Sequence, residues 1–182
     1  VNPSSPPGQK QYLVYIFEAT PMRLTSFSDY TLRVLMYLAL ERDRLATIPE
    51  IAAAYGVSRN HLMKVVHQLG QAGVIETVRG KGGGLRLARE PGAIRIGAIV
   101  REAEGAGPIV ECLSHGASTC PITPVCRLSR VLVEGFDALY DHLDRYTLAD
   151  LVGNRRALSS ALVSPPTPAA KRPSTARAAA RR

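Results

Sequence analysis

Apolar positions recur at helical intervals through most of the chain. In Asp29–Leu40, residues Leu32, Leu35, Met36 and Ala39 stand at i, i+3, i+4 and i+7, and Ser28 precedes them as an N-cap. That spacing lays the apolar side chains along one face and predicts an amphipathic helix. Thr47-Ile48-Pro49-Glu50 has capping-box spacing with a proline near its start, and opens a short helix over Ile51–Tyr55 that Gly56 ends. Ser58 then caps a third helix, with Leu62, Val65, Val66 and Leu69 as its buried stripe and Gly73 as its C-terminal stop.

Two short helices joined by Tyr55-Gly56-Val57-Ser58 make a helix-turn-helix pattern. The period then changes. Val74–Val78 and Leu85–Ala88 read as strands around Arg79-Gly80-Lys81-Gly82-Gly83-Gly84, a β-hairpin wing. Ile94–Arg101 opens a helix leading away from the wing, and an irregular stretch follows over 105–123. Thr123-Pro124 reads as the cap and first residue of a long helix, in which Leu128, Val131, Leu132, Leu139 and Leu143 recur at helical spacing. About 21 residues at 1.5 Å each would span roughly 30 Å. The predicted fold class is mainly α with a small β wing: a winged helix-turn-helix, a cysteine loop and a long dimerisation helix.

Composition sets the expected boundaries. Residues 1–21 read as a disordered lead, and their apolar stretch Tyr12–Phe17 is too short for a signal peptide. The winged helix-turn-helix occupies 22–92, a connecting helix and the cysteine loop 93–126, and the dimerisation helix with a C-terminal helical segment 127–162. Residues 163–182, rich in Pro, Ala and basic residues, read as a disordered, solvated tail. No apolar run approaches the roughly 20 residues that span a bilayer. Three cysteines without a secretory signal argue against a disulfide-stapled secreted fold. The expected location is the cytoplasm, with reduced thiols.

The net charge of +8 is unevenly divided. Residues 23–95 carry +5, 96–152 carry −4 and 153–182 carry +7, so a polyanion partner fits the winged block. In a helix-turn-helix the second helix enters the major groove with its N-terminal residues toward base edges. Here Ser58, Arg59, Asn60, His61, Lys64 and Gln68 supply that face, with His67 beside them. Arg pairs bidentately with guanine and Asn with adenine, so this face can read sequence. Arg79 and Lys81 flank the glycine loop, placed for phosphate or minor-groove contact. The loop lacks the Walker spacing of a nucleotide cradle, and no catalytic triad or carboxylate pair stands out, so an enzyme is not expected. The expected partner is double-stranded DNA. A two-fold dimer would require half-sites about one helical turn apart, hence a pseudo-palindromic operator.

Cys112, Cys120 and Cys126 lie within fifteen residues, as C-x7-C-x5-C. These intervals are too long for a zinc-ribbon pair and suit a larger centre such as an iron–sulfur cluster. A zinc site and redox-active thiols stay open as alternatives. If Thr123 caps the long helix, Cys126 falls in its first turn, where the positive helix end favours an anionic ligand. Three thiolates leave a four-ligand cluster one short. His115, a carboxylate, a small molecule or a group from another subunit would complete it.

Several stretches together resemble the NsrR-type nitric-oxide-sensing iron–sulfur repressors of bacteria. They are Met22–Tyr30, Val57–Leu62, Arg79–Gly84, Cys120–Cys126 and Tyr146–Val152, and the likeness runs from about Met22 to Leu162. The resemblance implies a homodimer whose cluster, [4Fe–4S] or [2Fe–2S], is bound by Cys112, Cys120 and Cys126. It also implies Asp29 of the partner subunit as fourth ligand. Asp29 has a plainer reading, first-turn capping with an i, i+4 pair to Arg33. The implied activity is repression relieved by nitric oxide, which frees the operator so that detoxification genes are expressed under nitrosative stress. A regulator of iron–sulfur or iron status with the same fold, and a zinc-stabilised DNA-binding protein, are the alternatives. The chain departs from the pattern in its longer first cysteine interval and in the lead before Met22.

Overall fold

The computed structural model describes residues 23–105, 107, 110–113 and 119–163. The lead, the basic tail and His115 lie outside the described residues. Helix α1 spans Ser26–Leu40 and is capped by Thr25 rather than Ser28: the Thr25 hydroxyl accepts the Ser28 N–H at 3.2 Å. Ser28 lies fully buried inside the first turn. The deepest residues of α1 are Val34, Leu35 and Ala39, whereas Leu32 and Met36 of the predicted stripe are only half-buried. Several elements surround this helix, so burial spreads beyond the single stripe of a surface helix.

Helix α2 (Ile48–Tyr55) starts on the predicted capping box, in which Thr47 and Glu50 exchange side-chain and backbone bonds. Helix α3 (Arg59–Gln71) buries Leu62, Val65, Val66 and Leu69, the predicted stripe. Ser58 occupies the N-cap position without a side-chain capping bond. Strands β1 (Ile75–Val78) and β2 (Gly84–Leu87) pair antiparallel, with Ile75 opposite Leu87 and Val78 opposite Gly84. Ala46 adds a minimal third strand by exchanging two backbone hydrogen bonds with Leu85. In the loop between them, Gly80 and Gly82 have φ of 101° and 81°, and a Cβ on Gly83 would lie 2.3 Å from the Val78 carbonyl. The hairpin therefore needs glycine there for its shape.

A 3-10 turn at Pro91–Ala93 leads into helix α4, which runs over Ile96–Glu104. A second 3-10 turn, Glu111–Leu113, carries Cys112. Helix α5 spans Leu128–Leu143, shorter than predicted, with Arg127 as N-cap. Residues from Cys120 to Cys126 instead form successive i, i+3 turns, and the Thr123 hydroxyl donates to the Cys120 carbonyl at 2.9 Å. Pro121 and Pro124 each lack a backbone donor and fix φ, which favours such tight turns over an α-helical start. Cys126 thus lies outside the first turn of α5, and the argument from its helix dipole does not apply. Two short helices close the described chain: α6 (Leu148–Leu151), on a Thr147–Asp150 capping box, and α7 (Arg155–Val163).

One apolar core joins these pieces. Leu35, Leu38, Ile51, Leu62, Val65, Val100 and Leu148 are almost completely enclosed, so α1, α2, α3, α4 and α6 share it. Helix α5 contributes no fully buried residue and is tied on at one end. There the Asp144 carboxylate accepts the Ala98 N–H at 2.9 Å and pairs with Arg101 at 3.2 Å, while the Arg101 guanidinium lies over the Tyr140 ring. Gly97 permits the approach, because a Cβ there would lie 2.4 Å from Asp144 Oδ1.

Candidate functional site

The turn after α2 throws α3 outward, and the burial of its Leu62–Leu69 stripe fixes which side faces solvent. Ser58, Arg59, Asn60, His61, Lys64 and His67 are exposed on that side. Met63, a residue the charge-based reading passes over, is half-exposed among them. Gln68 is drawn away: its amide donates to the Glu102 carbonyl of α4 at 3.3 Å. His61 is exposed but its ring stacks on Tyr30 of α1, with centroids 5.8 Å apart and planes at 21°. On the wing, Arg79 and Lys81 are both exposed at the hairpin tip, and Arg86 is paired with Glu76 across the strands at 2.7 Å. The structure thus presents two cationic edges, the N-terminal half of α3 and the wing loop. A basic helix face beside a basic loop is suited to a major groove and its flanking phosphates.

Asp29 stands in the first turn of α1, its side chain about half-exposed. Both carboxylate oxygens bind Arg33, Oδ1 to Nε at 2.9 Å and Oδ2 to a terminal nitrogen at 2.8 Å. The plainer reading of Asp29, an i, i+4 ion pair, is what a single chain displays. The same guanidinium lies 5.7 Å from the centre of the Tyr55 ring, at the helix-turn-helix corner. Charge and stacking thereby tie Asp29 to the DNA-binding motif.

Cys112, Cys120 and Cys126 are all half-buried and lie on one segment, between α4 and α5. Among the described residues no three His, Cys, Asp or Glu side chains converge on a metal-sized site. Three thiolates on one segment could supply three ligands of a four-ligand centre such as an iron–sulfur cluster, the fourth coming from elsewhere. Beside this segment a line of apolar side chains faces outward. Ile122, Val125, Leu128 and Val131 are each more than half exposed.

The structure also shows contacts that carry no sequence signal. The Glu104 carboxylate at the end of α4 reaches the first turn of α1. The Arg155 guanidinium reaches the other end of α1, donating to the carbonyls of Ala39 and Leu40. Near α2, Tyr37 Oη donates to Glu50 at 2.7 Å and Arg44 binds the same carboxylate. These bonds, Arg44's foremost, hold the Glu50 carboxyl down at about 2, while burial and Glu50 push the Tyr37 phenol up to about 12.

A family model for Rrf2, described as an iron-dependent transcriptional regulator, matches residues 24–154. The chain belongs to the Rrf2 family. It is 49% identical over 142 residues to the HTH-type transcriptional regulator NsrR of Bacillus subtilis, covering 78% of this chain and 97% of that protein. Identity to the NsrR regulator of Halalkalibacterium halodurans is 46%, with the same coverage. Among solved structures, CymR, the global cysteine regulator of B. subtilis, matches with a TM-score of 0.57 and 25% identity over 74% of this chain and 98% of that one. IscR of T. potens matches with a TM-score of 0.56 and 25% identity over 73% and 88% of the two chains. The resemblance carried by the sequence motifs is thereby borne out. This Rrf2 chain is an NsrR-type, DNA-binding transcriptional regulator with a winged-helix fold, and not an enzyme. Among the described residues no helix is long and apolar enough to cross a membrane.

Proposed function

We propose that the protein is a homodimeric repressor that senses nitric oxide through an iron–sulfur cluster and releases its operator in response. The observation that carries this reading is the pairing of two features in one NsrR-type chain. One is an exposed basic reading helix with its wing; the other is a segment that holds all three cysteines, each half-buried. Cys112, Cys120 and Cys126 would hold the cluster, and Asp29 of the partner subunit would complete its ligand set. When bound, such a cluster supplies irons open to attack by nitric oxide. Every other part falls to the chain. The outward apolar line through Ile122, Val125, Leu128 and Val131 supports a two-fold contact. Three of these side chains are already about 40% buried, so covering the exposed remainder would contribute about 1–2 kcal/mol each. Ser58, Arg59, Asn60, His61 and Lys64 would address base edges and nearby phosphates, and Arg79 and Lys81 would address the backbone or minor groove.

Asp29 has two uses in this reading. Free of the cluster it pairs with Arg33, which stacks on Tyr55 at the helix-turn-helix corner; as a ligand it leaves Arg33 to other partners. The ligand state and the pose of the reading helix are thus linked through a few contacts. The description of the family as iron-dependent favours a second reading, a sensor of iron or cluster supply.

Anaerobic purification, followed by absorbance and by iron, sulfide and zinc analysis, tests the proposal. Nitric oxide titration against an operator-binding readout completes it. The expected protein is brown, changes spectrum with nitric oxide and then lets go of DNA. Cys120→Ala should abolish both cluster and response. A brown protein that keeps its DNA under nitric oxide would select the iron-status reading, and a colourless, zinc-loaded one would overturn both.

A further inference from the structure

Glu104 closes α4 and stands one residue before the segment that leads to the cysteines. Its Oε1 atom takes three donors from the start of α1: the Thr25 N–H at 2.8 Å, the Thr25 hydroxyl at 3.1 Å and the hydroxyl of fully buried Ser28 at 2.5 Å. The Thr25 carbonyl in turn accepts the Asp29 N–H at 3.1 Å, the first α-helical bond of α1. A carboxylate that satisfies several donors at a helix N-terminus, where the dipole also favours negative charge, fixes that turn strongly. The far end of α4 is fixed as well. Asp144 binds the Ala98 N–H there, its carbonyl accepts from Arg95 at 3.3 Å, and Arg101 reaches the same carboxylate from the last turn of α4. Helix α4 is therefore a nine-residue strut, clamped to α5 at one end and to the turn that carries Asp29 at the other.

We infer that Glu104 is the positioning residue for Asp29: through Thr25 and Ser28 it sets where Asp29 stands when offered to the cysteine-held centre of a partner subunit. The inference rests on the proposed ligand role of Asp29. It also gives α4 a task, because the cysteine segment begins where Glu104 ends. A shift of that segment in one subunit reaches the Asp29 that the same subunit lends to the other.

The test uses full-length protein carrying Asp29→Ala, Glu104→Ala, both together, Glu104→Asp or Glu104→Gln. In the metal-free protein, Glu104→Ala should speed hydrogen exchange in the first turn of α1 by about tenfold, the scale of one lost hydrogen bond to a charged group. In the iron-loaded protein, Glu104→Ala should keep the iron and sulfide content but show the absorbance and circular dichroism of Asp29→Ala, with no further shift in the double variant. Glu104→Asp keeps the charge and shortens the reach by one methylene, so it should do the same, even if the alanine variant fails to fold. Glu104→Gln keeps the reach and an acceptor oxygen and should retain the wild-type spectrum. If Asp29→Ala shifts the spectrum while Glu104→Ala and Glu104→Asp leave it unchanged, or if the double variant shifts further than either single one, the positioning role is overturned and the ligand role stands. If Asp29→Ala itself changes nothing, both fall.

Discussion

Replacing Gly97 by alanine sets two opposed effects against each other. Glycine inside a helix costs about 1 kcal/mol relative to alanine, so the change should stabilise α4 taken alone. In the structure, however, the new Cβ would lie 2.4 Å from Asp144 Oδ1, 2.5 Å from Asp144 Cγ and 2.6 Å from the Tyr140 carbonyl oxygen. The first two contacts can be relieved by turning the Asp144 side chain, at the expense of its bonds to Ala98 and Arg101. The third is backbone and yields only if α5 moves. Overpacking of this kind costs about 1–3 kcal/mol, and losing a hydrogen bond to a carboxylate adds about 1.5 kcal/mol or more. The clash wins, for a net loss of about 2 kcal/mol. In a chain of this size that lowers the melting temperature by about 4–8 °C. Gly70 is the control, since it lies in α3 with open space around its Cβ position. Gly70→Ala should gain up to about 1 kcal/mol from the same propensity. Both are measured by thermal and urea denaturation at one fixed protein concentration, because dimerisation would make the midpoint depend on concentration. Two alanine variants that move stability the same way by the same amount would refute the close crossing of α4 and α5.

On the DNA side, Lys81→Ala should weaken binding about equally for all sequences and reduce the slope of log K against log salt by about one. Arg59→Ala should instead relax discrimination at one base step, by about 1–3 kcal/mol, in a competition assay with single-site operator variants. Glu50 gives a pH dependence with a definite sign. Its folded carboxyl is held at about 2, below its ordinary value of 4.5, so its contribution is present above pH 4.5 and is lost as pH falls toward 2. Urea midpoints measured from pH 5 to pH 2 should fall for the wild type, and the part of that fall due to Glu50 should vanish in Glu50→Gln.

Where structure follows from near neighbours in the chain, the sequence reports it well. The stripe of α3, the capping box of α2 and the glycine hairpin are all local, and each stands where its spacing put it. The i, i+4 pair of Asp29 and Arg33 was legible for the same reason. The N-cap of α1 is ambiguous in the sequence because Thr25 and Ser28 both suit it; in the fold both hydroxyls donate to Glu104, far along the chain, and it is Thr25 that accepts the Ser28 N–H. The long helix begins later than its spacing predicts because Thr123-Pro124 imitates a cap, while a second proline three residues earlier turns the chain tightly. Gln68 looked free on a helical wheel, but no wheel includes the Glu102 carbonyl that binds it. For the cysteines the sequence spacing names candidate ligands but carries no distances between them. Among the described residues they do not gather with other donors into a metal-sized site.

Both ends of α1 are closed from far away, and with matching signs. The acid Glu104, 79 residues beyond Thr25, meets the N-terminus, and the base Arg155, 115 residues beyond Leu40, meets the C-terminal carbonyls. The helix has no basic residue of its own in its last turn. During synthesis, when chains fold from the N-terminus forward, this arrangement inverts the usual order of completion. The first helix of the described residues is completed late, since the bonds from Arg155 to its last carbonyls are not made until residue 155 has been added. A shortened product that contains the whole winged helix-turn-helix but ends before that point leaves the helix open at one end.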